Sequence, residues 1–128
     1  LSTGQMEEII SSHSRVAECA VVGADDELKG QVPVGLLVLT GTGPSSSEDE
    51  HRVCAEVVAL VRETLGPVAA FKSAGVVYGL PKTRSGKILR GIIQNICNGS
   101  EYKLPGTIED TAPVDAAHEA LSKLGYPE

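Results

Sequence analysis

Val16-Ala17-Glu18-Cys19-Ala20-Val21-Val22-Gly23-Ala24, then Asp25-Asp26-Glu27-Leu28-Lys29-Gly30, then Val32-Pro33-Val34-Gly35-Leu36-Leu37-Val38-Leu39-Thr40: this stretch decides the fold. Apolar runs of strand length flank a polar turn that ends in glycine, which predicts strands over 16–24 and 32–40 paired as a hairpin-like unit. The second run is almost continuously apolar and suits a central strand, with Pro33 near its start.

Helical patterns surround this hairpin. Ser2 followed by Gln5 has the form of a capping box and opens a helix through Met6, Ile9 and Ile10 to about His13. Past the hairpin, residues 41–47 form a Gly/Ser/Pro/Thr loop, and Glu48-Asp49-Glu50 suits the positive end of a helix dipole. That helix is predicted to run to about Leu65, with Val53, Val57, Leu60, Val61 and Leu65 on one face and Arg62 turned away from it. Residues 74–80 predict a further strand, 88–97 a helix with Ile88, Ile92, Ile93 and Ile96 on its apolar face, and 113–124 a final helix. The implied class is α+β, a small and largely antiparallel sheet flanked by helices.

Composition bounds what such a chain can do. At 128 residues, 41% of them hydrophobic and 22% charged, it is one domain with a modest core. No apolar stretch approaches a membrane span, and the absence of Trp, with one Phe and three Tyr, leaves few stacking platforms for nucleic acid. Leu1 begins without an initiator Met or signal-like segment, which reads as a piece of a longer chain. Cys19, Cys54 and Cys97 are odd in number and widely spaced, so they read as reduced thiols in a cytoplasmic or mitochondrial-matrix protein that is not secreted. His13, His51 and His118 share no metal-ligand spacing with them and read as ordinary surface or half-buried histidines.

The chemistry concentrates in Leu80-Pro81-Lys82-Thr83-Arg84-Ser85-Gly86-Lys87-Ile88-Leu89-Arg90. No Asp or Glu occurs from Thr64 to Ser100, so in a chain of net charge -6 this is a local positive field. Pro81 ends the preceding strand and Gly86 allows a sharp turn just before Lys87, whose ammonium is then held at a defined place. A compact cation of this kind can sit beside a carboxylate or phosphate and stabilise charge that shifts in a transition state. A solvated basic patch is the plainer reading of such a cluster. A phosphate-binding P-loop fails on spacing, which would require glycine where Pro81 stands and Ser or Thr where Ile88 stands.

Resemblance decides between these readings. Pro81 to Lys87 resembles the C-terminal lysine motif of the AMP-forming acyl-CoA synthetases, which activate carboxylic acids with ATP. Leu1-Ser2-Thr3, Met6-Glu7, Ala20-Val21-Val22-Gly23, Lys29-Gly30-Gln31, Val61-Arg62, Leu65-Gly66-Pro67 and Thr107-Ile108-Glu109-Asp110 resemble, in order, the C-terminal domain of acetyl- and propionyl-CoA synthetases. Gly66 to Phe71 and the tail from Asn98 to Asp110 are more similar to the propionate branch.

The resemblance implies that residues 1–112 are a mobile lid and 113–128 a tail helix, the lid rotating over a large N-terminal adenylation domain of the same chain. It implies ATP, Mg²⁺ and coenzyme A as cofactors and a short-chain carboxylic acid as substrate, with no nucleic acid or membrane as partner. Lys87 is then the catalytic cation of acyl-adenylate formation, and its acylation would remove the charge that this step needs. Arg62 matches a coenzyme A contact near the 3′-phosphate, and Ser11, His13 and Val16 match a peripheral Mg²⁺ site built from backbone carbonyls. Lys82, Arg84 and Arg90 could position the loop, contact the partner domain or face solvent, and solvent is the reading for Arg90. A lid alone implies no ligase activity. The competing readings are a non-catalytic module docking an acidic partner and a longer-chain acyl-CoA ligase.

Overall fold

The computed structural model describes residues 2–41 and 45–128; Leu1 and part of the loop expected over 41–47 lie outside them. The hairpin is present. β1 spans Val16–Asp26 and β2 spans Gly30–Leu39, antiparallel from Val16 opposite Leu39 to Asp26 opposite Gly30. Its turn is closed by Asp26, whose Oδ1 accepts the Lys29 and Leu28 amides, both at 2.9 Å. Those two donors hold the Asp26 carboxyl below its ordinary range.

Helices α1 (Thr3–Ser11), α2 (Ser47–Leu65), α3 (Arg90–Cys97) and α4 (Ala112–Lys123) and a short strand β3 (Ser73–Val76) complete the fold, which is α+β. The long ladder is antiparallel as expected, but β3 adds to β2 in parallel, giving a mixed sheet of order β1-β2-β3. The reason is α2. Its 19 residues carry the chain back to the end of the sheet where β2 began, so the next strand runs the same way as β2. β3 is shorter than the strand expected over 74–80, and its ladder continues only through the Val77 amide, which donates to the Leu37 carbonyl at 2.8 Å.

The sheet lies between two helical layers. Ala20, Val22 and Ala24 of β1 with Val34 and Leu36 of β2 pack on Ile92, Ile93 and Ile96 of α3 and on Val114, Ala117 and Leu121 of α4. On the other face Val21 and Leu37 pack with Phe71 against Met6 and Ile10 of α1 and Val53, Val57 and Val61 of α2. Burial on both faces is why β2 reads as an unbroken apolar run rather than an alternating one. Each fully buried aliphatic side chain contributes about 1.5–3 kcal/mol relative to exposure. Because α4 shares the core of α3, the tail helix is part of the packed body.

Helix starts differ in how they are capped. The Ser46 hydroxyl accepts the Asp49 amide at 3.1 Å, and Glu48, Asp49 and Glu50 fill the first turn of α2. The capping box expected at Ser2 does not form. Ser2 sits at φ −95°, ψ 76°, away from the extended geometry of Ser46 (φ −73°, ψ 157°) that aims a hydroxyl at the first turn. Only its carbonyl engages the helix, accepting the Met6 amide at 3.2 Å. No described helix is long and apolar enough to cross a membrane.

β1 is an edge strand, and side chains cover its open edge. The Val21 amide donates to Glu7 Oε2 at 2.8 Å and the Asp25 amide to Asn98 Oδ1 at 2.8 Å, while Asn98 Nδ2 donates to the Gly23 carbonyl at 3.1 Å. Such coverage removes free strand edge that would otherwise pair with another chain.

Candidate functional site

Beyond β3 the chain turns into a small ribbon. Lys82 bridges Ile88 and Thr83 bridges Ile108, both antiparallel. The Thr83 amide donates to the Lys87 carbonyl at 2.9 Å and the Gly86 amide to the Thr83 carbonyl at 2.9 Å. Thr83 Oγ1 accepts the Lys87 amide at 3.1 Å and lies 3.0 Å from the Ser85 hydroxyl. This turn needs Gly86, whose φ of +91° lies in the left-handed region that side chains disfavour. From the outer side, the Arg84 amide donates to the Thr107 carbonyl and the Glu109 amide to the Lys82 carbonyl, both at 2.9 Å. The Lys87 backbone is thus bonded through both its amide and its carbonyl, while its side chain is exposed.

The four cations of this segment divide into two kinds. Lys82 Nζ lies 2.5 Å from Glu18 Oε2 on β1. Arg90 donates from Nε to Glu7 Oε2 at 2.9 Å and from Nη2 to Glu7 Oε1 at 2.6 Å, which raises the guanidinium pKa further. Arg90 therefore does not simply face solvent as expected; α1 brings a carboxylate to it across a sequence separation of 83 residues. Among the described residues no carboxylate forms an ion pair with Lys87 or Arg84. The positive field is compensated at its base and free at its tip.

Arg62 occupies the last turn of α2 and is exposed, as its place off the apolar stripe predicts. It lines a groove of about 430 Å³ with Cys54, Val58, Lys72, Ser73 and Leu124, a lining that contains two cations and no carboxylate. Lys72 was not anticipated there. It lines the same groove as Arg62 because the turn over Pro67–Ala69 folds the chain back along the end of α2 before β3 starts. Arg62 is on α2, which packs on one face of the sheet, whereas Ile88 and Leu89, beside Lys87, pack with the core on the other face, and the two cations share none of the described cavities.

Ser11 ends α1, and His13 and Val16 lie in and just after the turn that follows it. The His13 imidazole is committed, with Nδ1 accepting the Arg15 amide at 3.1 Å and Nε2 lying 2.8 Å from Glu56 Oε1. Its carbonyl accepts the Val16 amide at 3.0 Å, and the Val16 side chain is buried. Donors here are neutral carbonyls, one of them already bonded, and no group of three or more His, Cys, Asp or Glu among the described residues could hold a metal. Mg²⁺ is generally held by one or two carboxylates, and this set does not fit a tightly bound ion.

All three cysteines are free. Burial pushes the Cys54 and Cys97 thiols up to about 11 and raises Cys19 as well. They are protonated at neutral pH, which makes them inert packing groups rather than nucleophiles.

Residues 5–87, ending on Lys87, match the AMP-binding enzyme C-terminal domain family. The chain is 51% identical over 130 residues to the acyl-CoA synthetase short-chain family member B, mitochondrial, of Dictyostelium discoideum, covering 99% of this chain and 18% of that protein. It is 47% identical over 123 residues to the human acyl-CoA synthetase short-chain family member 3, mitochondrial, covering 96% of this chain and 18% of the relative. Acetoacetyl-CoA synthetase from Streptomyces lividans shares the fold, with a TM-score of 0.70 at 16% identity over 94% of this chain and 18% of that one. The chain spans between 16% and 19% of the length of the short-chain relatives and others most similar to it. By a match that runs from α1 to the tip of the basic ribbon, this chain belongs to the AMP-binding enzyme C-terminal domain family.

Proposed function

We propose that this chain is the C-terminal lid of an ATP-dependent, AMP-forming acyl-CoA synthetase acting on a short-chain acid, acetate or propionate, and that the lid has no ligase activity alone. The observation that carries this is Lys87, an exposed ammonium on a backbone bonded from both sides, with no carboxylate paired to it among the described residues. The names of the relatives, acyl-CoA synthetases of short-chain type, support the same class. Of the two compartments expected, the mitochondrial designations of these relatives favour the matrix.

In the first half-reaction a carboxylate oxygen attacks the α-phosphorus of ATP, the new C–O–P linkage forms, and the bond to pyrophosphate breaks. Lys87 stands between the two anions, draws the carboxylate toward phosphorus and offsets charge that builds as pyrophosphate leaves. It does so as a fixed cation and moves no proton. In the second half-reaction the thiol sulfur of coenzyme A attacks the adenylate carbonyl, its proton leaves to the surrounding medium, and AMP departs.

Arg62 on α2 and the ribbon that carries Lys87 are separate parts of the domain that share no described cavity, which suits a rotating lid of residues 1–112, with the 113–128 tail packed into it, that uses one part in each half-reaction. The guanidinium of Arg62 pairs with phosphate oxygens near the 3′ end of coenzyme A. The carbonyls of Ser11, His13 and Val16 supply no step, because their donor set does not fit a tightly held Mg²⁺. The test is Lys87→Ala in the full-length enzyme, with pyrophosphate release and thioester formation from supplied acyl-adenylate measured separately. Loss of the first with retention of the second is expected; equal loss of both refutes the role assigned to Lys87.

A further inference from the structure

We infer that Glu7 and Glu18 are positioning residues for Lys87, a two-point clamp that holds the basic ribbon at a fixed angle to the domain; the inference rests on the reading of Lys87 above. The ribbon is small, held within itself by the bridge of Lys82 with Ile88 and joined on its outer side to residues 107–109 by the bridge of Thr83 with Ile108. These bridges keep its shape, and Ile88 and Leu89 seat its base on the core, but none of them ties it to α1 or to β1. The ion pairs supply what the bridges lack. Lys82 on the incoming arm is tied to Glu18 of β1 at 2.5 Å, and Arg90 just past the outgoing arm is tied to Glu7 of α1 through both guanidinium contacts, at 2.6 and 2.9 Å. Lys87 lies between these two tie points in sequence, so fixing both arms fixes the tip.

Glu7 is itself held in place. Its Oε2 also accepts the Val21 amide at 2.8 Å, and its side chain is only 15% exposed. A carboxylate with three donors joins α1, the open edge of β1 and the start of α3, and bidentate charge-assisted pairs of this geometry exceed ordinary surface pairs in strength. The clamp has an electrostatic consequence too. By neutralising Lys82 and Arg90 it leaves the uncompensated positive charge of the ribbon at its tip, on Arg84 and Lys87.

The experiment uses the full-length enzyme with Glu7→Gln, which keeps one acceptor oxygen for the Val21 amide while removing the charge and the bidentate pair with Arg90, and with Glu18→Gln. Each is expected to lower kcat for adenylate formation by about 10- to 100-fold, the loss that a displacement near 1 Å brings. KM for ATP and thioester formation from supplied acyl-adenylate should stay unchanged, since the clamp acts only on the transition state that Lys87 serves. The reversed pair, Glu18→Lys with Lys82→Glu, restores the tie and should recover most of the lost adenylation. Equal loss in both half-reactions would make Glu7 and Glu18 structural and overturn the proposal, as would unchanged adenylation in both single variants or failure of the reversed pair. Lys87→Ala run alongside separates the two ideas: full adenylation there removes the role of Lys87 and the clamp with it, whereas crippled adenylation beside unaffected clamp variants removes the clamp alone.

Discussion

Gly35→Ala tests how the central strand is built. Gly35 lies on β2 between the buried Val34 and Leu36, and a Cβ at this position would sit 3.0 Å from Phe71 Cζ and 3.3 Å from Phe71 Cε1. Phe71 is fully buried, among Met6, Ile10, Val53 and Val57, so its ring has nowhere to retreat. With room to spare, an added methyl would contribute about 0.8 kcal/mol of burial. Replacing glycine would add roughly 0.5 kcal/mol by restricting the unfolded chain. Overpacking a rigid core costs about 1–3 kcal/mol and falls here on ring carbons flanked on all sides. The net expectation is a loss of roughly 1 kcal/mol, read as a lower urea midpoint with an unchanged m-value. The same substitution in a Phe71→Leu background should cost little, because the clashing atoms are gone. A neutral or stabilising Gly35→Ala, or an equal cost in both backgrounds, would falsify the steric account.

Three further outcomes follow from the described geometry. Arg15 and Arg52 hold the Asp49 carboxyl well below the usual carboxylate range, Arg15 through paired contacts of 2.9 and 2.8 Å. A depressed pKa stabilises the fold fully above the unfolded value of 3.8 and is lost as pH falls below it, so Asp49→Asn should flatten the acid limb of the stability curve. Cys54 and Cys97, with thiols pushed up to about 11, should react slowly with iodoacetamide at pH 7.5 and accelerate only on unfolding or at strongly alkaline pH; rapid native-state labelling of Cys97 would contradict its burial. Arg62→Ala in the full-length enzyme should raise KM for coenzyme A roughly 10-fold, the loss of one charge-assisted phosphate contact, and leave pyrophosphate release intact. A matching fall in pyrophosphate release would move Arg62 out of the thiol-binding step.

Much of this protein was legible in the residue order because the deciding signals are local. The apolar runs 16–24 and 32–40 around a polar turn specify an antiparallel pair whatever lies elsewhere, and the stripe of Val53, Val57 and Val61 specifies a helix and its buried face. Lys87 was conspicuous for the same reason, since Pro81, Gly86 and the charge pattern all act within a few positions of it. Contacts between distant segments are another matter. Tertiary structure alone decided that β3 runs parallel to β2, that Arg90 meets Glu7 and Lys82 meets Glu18, and that Lys72 joins Arg62 in one groove. Periodicity records which side of an element is apolar; only the closed three-layer packing sets what that side, and the charges around it, come to face.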